Sequence, residues 1–193
     1  MNRLIYRLMY LLTKPGWDSG VTPPEVVQAF ESSDPPAGPA LDLGCGTGTN
    51  AIFMARHGLD VTALDYTPEA ISRAKRKVAQ AGLADHIRLQ VADVTRLADL
   101  DIPELGFALD IGCFHGLSPE GRARYVAALS ALLRPGGRYM LYTIDPHDEG
   151  PVSFGMTPAQ IESILSPAFD ITRQERGAFG SRISTWTWLT RRL

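Results

Sequence analysis

Residues 40–65 read A-L-D-L-G-C-G-T-G-T-N-A-I-F-M-A-R-H-G-L-D-V-T-A-L-D, and their order decides the fold. A short apolar strand, Ala40 to Leu43, breaks into glycines at alternate positions, Gly44, Gly46 and Gly48. The chain then resumes as a helix over about Thr49 to His57, with Ile52, Phe53 and Ala55 placed for burial. A second apolar strand, Val61 to Leu64, ends on Asp65. Strand, glycine turn, helix, strand and terminal carboxylate together predict a nucleoside-containing ligand at the carboxyl edge of a parallel sheet. The glycines admit backbone where a side chain would collide, the helix start offers unpaired N–H groups, and Asp65 can accept both hydroxyls of a ribose.

Upstream, the spacing predicts an amphipathic helix over about Arg3 to Leu12, a Gly/Pro loop, and a short helix opened by Pro23 and Pro24 and ending near Phe30. Downstream, Thr67 is the expected N-cap and Gly82 the terminator of a helix whose basic face (Arg73, Lys75, Arg76, Lys77) reads as solvated surface. Strands follow at Ile87 to Val91, Phe107 to Asp110 and, after the turn R-P-G-G, Arg138 to Thr143. Helices are expected at Ser118 to Leu133 and Thr157 to Leu165. Phe169 to Glu175 and Ile183 to Thr190 close the chain as a hairpin-like pair, with Trp186 and Trp188 sharing a core-facing side. Strands alternating with helices argue for an α/β doubly wound parallel sheet.

A chain of 193 residues with 45% hydrophobic and 21% charged residues has the size and composition of one domain, read as an N-terminal helical cover over 1–38 on a core over 39–193. The formal net charge of −2 provides no basic field for nucleic acid. Arg7 interrupts the opening apolar run and no small-residue cleavage site follows, so the run is not read as a signal peptide, and no stretch is long enough to span a bilayer. Two cysteines, Cys45 and Cys113, are too few for a disulfide framework and suggest a cytoplasmic setting with spectator thiols.

The string D-L-G-C-G-T-G, with Asp42 two residues before the first glycine, resembles motif I of the class I S-adenosylmethionine-dependent methyltransferases. The likeness runs from about Trp17 to Tyr142 and more weakly beyond. It implies a Rossmann-like doubly wound seven-stranded sheet, mostly parallel with an antiparallel final strand. It also implies S-adenosyl-L-methionine as cofactor, with S-adenosyl-L-homocysteine as its product. By the resemblance, Asp42, Gly44, Cys45 and Gly46 cradle the methionine portion and Asp65 takes the ribose. Tyr66 would flank the adenine, Asp93 accept from its amino group, and the Val94 N–H face a ring nitrogen. Simple helix capping is the other reading of Asp65 and Asp93.

G-C-F-H-G-L after the fourth strand, with Trp17-Asp18 and Pro23-Pro24-Glu25, resembles the small-molecule branch acting on thiols, thiopurines, halides and tellurite. That branch often carries an arginine where this chain has Ile111, and by the resemblance Ile111 counts among the cofactor-binding residues. His115 is expected at the mouth of the site as a base, or else as a structural histidine, and Asp110 is expected either to orient His115 or to help hold the cofactor's amino group. Trp17 is expected in a lid over the cofactor's methionine end, Tyr6 or Tyr10 along the substrate pocket or else in ordinary core packing, and the Ile144–Met156 loop as a second lid. His57, His86 and His147 receive no role. Methyl transfer needs mainly alignment and exclusion of water, because the donor sulfonium is already activated. The expected activity is methylation of a small molecule, on sulfur or another soft nucleophile or on an oxygen or nitrogen of a metabolite, by a monomer or homodimer. A methyl-donor-binding protein without catalysis stands beside it. A nicotinamide oxidoreductase would need a Tyr/Lys or His/Arg set that the sequence lacks.

Overall fold

The structure, a computed structural model, describes residues 3–13, 15–149 and 152–193; side chains at 3–6, 8, 147–149, 152, 153 and 179 lie outside the description. Helices α1 (Arg3–Leu12) and α2 (Pro24–Glu31) precede strand β1 (Ala40–Leu43). Then come α3 (Thr49–Arg56), β2 (Val61–Asp65), α4 (Pro68–Gln80), β3 (Ile87–Val91), β4 (Leu105–Ile111), α5 (Pro119–Leu132) and β5 (Leu133–Ile144). A small hairpin of β6 (His147–Glu149) and β7 (Val152–Phe154), helix α6 (Pro158–Leu165), β8 (Phe169–Phe179) and β9 (Arg182–Arg191) complete the chain.

Seven strands form one sheet in the order β3-β2-β1-β4-β5-β9-β8. The first five are parallel, and only β9 runs against its neighbours β5 and β8. The expected sheet is therefore the one found. Every residue of β1 and β2 is buried, as befits parallel strands covered on both faces. Because side chains alternate across a strand, Leu41, Leu43, Ala108, Tyr139 and Leu141 meet α5 and α6 on one face. Ala40, Phe107, Leu109 and Met140 meet α2, α3 and α4 on the other. The order reverses between β1 and β4, and in such a sheet that switch point opens a crevice at the carboxyl ends.

Local chemistry starts the helices where expected. Proline stands in the first turn of α2, α4, α5 and α6. Ser118 Oγ accepts from the Gly121 N–H at 3.1 Å, and Thr157 forms a capping box with Gln160. Thr67 sits at the N-cap of α4, but its side chain caps nothing; Asp65 Oδ1 instead accepts the Thr67 N–H at 2.8 Å. At Gly106 a β-carbon would lie 1.9 Å from the Ala37 carbonyl oxygen, so only glycine lets the connector cross the start of β4.

Three expectations need correction. The R-P-G-G turn is absorbed into β5 as an irregularity: Leu133 pairs with Leu105, and regular pairing resumes at Arg138 opposite Phe107. The segment Ile144 to Met156, expected as a loop, carries the β6–β7 hairpin. The basic face of α4 is not plain solvated surface. Arg73 donates to the main-chain oxygens of Tyr10 and Thr13, and Lys77 donates to Thr47 Oγ1 and stands 3.8 Å from Asp18. With the Arg7–Glu69 pair at 2.9 Å, these contacts dock the N-terminal segment on α4.

Candidate functional site at the carboxyl edge

The bend after β1 is built by backbone that only glycine adopts readily: Gly44, Gly46 and Gly48 have φ of +76°, +54° and +80°. Each is also short of room, since a β-carbon would stand 3.0 Å from Cys113 Cβ, 3.0 Å from the Tyr10 hydroxyl and 3.2 Å from Ala74 Cβ respectively. Asp65, at the tip of β2, reaches back to this bend. Its Oδ2 accepts the Gly46 N–H at 3.0 Å while Oδ1 holds the Thr67 N–H. The carboxylate thus both caps α4 and ties two strand tips together. Burial pushes its pKa up, and the Thr67 and Gly46 bonds pull against that.

Asp42 lies one layer below, 2% exposed. The Ala51 amide bonds its carboxylate, yet Oδ2 is buried with no hydrogen-bond partner. Burial first, then the charge of Asp110, raises its pKa to about 7. A buried acceptor with an open valence beside a glycine cradle fits a cationic group better than it fits a packed core.

The N-terminal segment closes this side. Tyr10 is 3% exposed, and its hydroxyl accepts from the half-exposed Trp17 indole at 3.1 Å. Thr47 Oγ1, in the glycine bend, donates to Asp18 at 2.6 Å. The structure therefore brings Trp17 and Tyr10 to the bend; Tyr6 lies outside the described side chains. Two clefts, of about 570 and 410 Å³, share Lys77 and Gln80 of α4; the larger runs along Thr49, Ile52 and Phe53 of α3, and the smaller reaches Asp18 and Thr47 at the bend.

Asp93 caps the turn that begins at Val94, accepting the Thr95 N–H at 2.9 Å and the Thr95 hydroxyl at 2.7 Å through Oδ1. The capping reading of both Asp65 and Asp93 is therefore realised. Tyr66 is half-buried and Val94 buried beside their strand tips. Cys45, buried, and Cys113, partly buried, are free thiols whose pKa values burial drives well up.

At the tip of β4, Asp110 is fully buried. It accepts from the Cys113 amide at 2.7 Å, the Phe114 amide at 3.1 Å and the Tyr125 hydroxyl at 2.8 Å, and Tyr125 is in turn 3.0 Å from the Tyr139 hydroxyl. Burial outweighs these bonds and lifts its pKa to about 7. Asp110 thus acts on the backbone of the loop that carries His115. Sequence reasoning missed Tyr125, Tyr139 and Arg122, whose Nη2 donates to the His115 carbonyl at 2.7 Å. A tyrosine on α5 seven residues into the helix carries no local mark of that role. His115 lies buried, not at an open mouth, with Cε1 3.5 Å from where a Gly112 β-carbon would sit. Ile111 is half-buried. Among the described residues no acidic, histidine or cysteine cluster is arranged to hold a metal, and no helix is long and apolar enough to cross a membrane.

Comparison with known proteins is consistent with this layout. The chain is 30% identical over 146 residues to 2-heptyl-1-hydroxyquinolin-4(1H)-one methyltransferase of Mycobacteroides abscessus, covering 73% of this chain and 63% of that protein. It is 29% identical to thiocyanate methyltransferase 1 of Brassica oleracea over 78% of this chain and 66% of that one. The chain therefore spans just under two thirds of these relatives' length. In fold it is similar to 1,6-didemethyltoxoflavin-N1-methyltransferase of Burkholderia thailandensis, with a TM-score of 0.79 at 22% identity over 99% of this chain and 87% of that one. Residues 40–137 match the family described as methyltransferase domain, and the chain belongs to that family.

Proposed function

We propose that the protein transfers a methyl group from S-adenosyl-L-methionine to a small-molecule acceptor. The observation that carries this reading is the left-handed glycine bend tied to Asp65 at the β1–β4 switch point, with the open valence of Asp42 beneath it. Asp42 would bind the ammonium of the cofactor's methionine portion, and Gly44, Cys45 and Gly46 would lie along it. Asp65 would take the ribose hydroxyls, Tyr66 would flank the adenine, Asp93 would accept from its amino group, and the Val94 N–H would face a ring nitrogen. When bound, the sulfonium supplies an activated methyl group. The protein's part is then alignment and dryness. Tyr10 and Trp17 exclude water from the bend, Ile111 gives the acceptor side an apolar edge, and the loop held by Asp110 fixes His115. His115 would take a proton from a hydroxyl or amine acceptor, whereas a thiolate needs none.

The relatives named above methylate a hydroxyquinolone and thiocyanate by name, which supports a small acceptor. We place the protein in the cytoplasm as a monomer or homodimer acting without nucleic acid. Titration calorimetry with S-adenosyl-L-homocysteine, followed by labelled methyl transfer to a panel of thiol, halide, phenol and amine acceptors, tests the reading. Binding with transfer supports it. Binding without transfer to any acceptor favours a regulatory methyl-donor sensor, and the absence of heat at millimolar ligand ends both.

A further inference from the structure

We propose that the acceptor is a flat, largely apolar aromatic molecule, received against a wall of Tyr142 and Trp186 at the tips of β5 and β9; this rests on the methyl-transfer reading. Ile111, Tyr142 and Trp186 stand side by side in register across one face of the sheet. The Tyr142 ring lies 5.1 Å from Trp186 at 55°, and Trp186 lies 6.2 Å from Trp188 at 39°. The Arg173 guanidinium, 4.5 Å over Trp188, closes the far end of this row.

The row is not simply core. Phe107 and Leu109, lower on the same face, are buried beneath α2 and α3, whereas Ile111, Tyr142 and Trp188 remain partly open. Trp186, at 5% exposure, supports the Tyr142 ring from behind. The wall also adjoins the methyl-transfer site. The Gly112 N–H donates to the Tyr142 carbonyl at 3.1 Å, and the His115 ring stands 3.5 Å from the β-carbon position of that same Gly112. His115 and Tyr142 therefore flank the same tip of β4. Burial raises the pKa of the Tyr142 phenol, a hydrogen bond with Ser184 pulls against that, and the charge of Glu25, in the first turn of α2, adds a smaller upward push.

The chemistry of this wall discriminates between acceptor classes. Aromatic faces carry negative charge density, so they repel a halide or thiocyanate and attract another ring in offset or edge-on contact. A short aliphatic thiol would cover little of the wall.

The test uses the full chain, with 4-hydroxyquinoline and thiophenol set against thiocyanate, iodide and 2-mercaptoethanol. Tryptophan fluorescence is read with and without S-adenosyl-L-homocysteine, and labelled methyl transfer is read alongside. The aryl compounds should quench fluorescence and be methylated with a kcat/KM about tenfold or more above the others, a factor equal to ~1.4 kcal/mol. Tyr142→Leu should raise the aryl KM about tenfold with little change in kcat, and Tyr142→Phe, which keeps the ring, should stay within about twofold of wild type. Calorimetry with S-adenosyl-L-homocysteine shows whether each variant is folded. Equal turnover of anions or aliphatic thiols, or an aryl KM unmoved by Tyr142→Leu in a folded variant, overturns the proposal. Because quenching is read without cofactor too, a chain that fails to bind S-adenosyl-L-homocysteine loses the methyl-transfer reading while the wall is judged separately.

Discussion

Asp65 and Asp110 stand at the tips of β2 and β4, on the two sides of the crevice, and both are buried. Asp65 binds across strands, reaching the Gly46 amide in the bend after β1 as well as its own Thr67. Asp110 turns inward, to the amides of its own loop and to a pair of tyrosines. The same residue type at the same kind of position thus does two jobs. One ties the glycine bend to the neighbouring strand tip, and the other sets the shape of its own loop. On the proposed cofactor half of the crevice, Asp65 reaches 19 residues back to the bend, which the N-terminal segment covers from further still, while on the proposed acceptor half the partners of Asp110 all lie within 15 residues of it.

The sharpest way to break this contrast is to remove each carboxylate in turn. Asp65→Ala should weaken S-adenosyl-L-homocysteine binding by about 100-fold or more, since each hydrogen bond to a charged group is worth ~1.5–3 kcal/mol. Asp110→Asn should leave that affinity within about threefold, because its partners are protein groups already counted in folding. Calorimetric titration of both variants decides the matter, and equal losses would erase the distinction.

The next effect is in pH. Asp42 and Asp110 both have folded pKa values of about 7, raised chiefly by burial, against an ordinary carboxylate value of 3.8. Between those values the native state binds more protons than the unfolded chain, so stability falls as pH rises across that window. Scanning calorimetry should therefore show a higher melting temperature at pH 5 than at pH 7.5. Asp110→Asn should reduce that slope, whereas Asp65→Ala should reduce it less. A slope unchanged by Asp110→Asn would place the coupled proton elsewhere.

How much of this was legible in the sequence depended on whether a local rule dictated the residue. The bend, Asp65 and Asp93 could be read because a positive φ demands glycine and a strand-end carboxylate demands local N–H partners, both short-range rules. The sheet was legible because apolar runs alternate with capped helices. The acceptor half was not. Tyr125 and Tyr139 are 14 residues apart, on a helix and a strand, and meet Asp110 only once α5 packs on the sheet. Arg73 and Lys77 looked like solvated surface because their partners, Tyr10, Thr13, Thr47 and Asp18, lie 30 to 63 residues away. Trp186 was rightly placed in the core, yet its register with Ile111 through Tyr142 could not be known before strand order was.

A smaller effect is expected deeper in the acceptor half. Tyr125→Phe removes one of the donors to Asp110 and strands the Tyr139 hydroxyl in a fully buried place, and should cost about 1–2 kcal/mol in urea unfolding. Binding of S-adenosyl-L-homocysteine to the folded variant should be unchanged, and a large loss there would mean that the two halves are coupled.

The smallest effect is expected where the N-terminal segment meets α4. Arg7 and Glu69 form an ion pair at 2.9 Å with the Arg7 side chain 51% exposed, and solvent screens such a pair. Arg73 differs because it is half-buried and serves the last carbonyls of α1, groups that a helix leaves unpaired. Chymotrypsin offers a local readout, since Leu11 and Leu12 are 57% and 77% exposed at the end of that helix. Glu69→Gln should leave the cleavage rate near that of wild type, and Arg73→Met should raise it several-fold without altering global unfolding. Were Glu69→Gln to loosen α1 as much as Arg73→Met does, long-range charge would hold the segment, in place of the specific capping of its carbonyls.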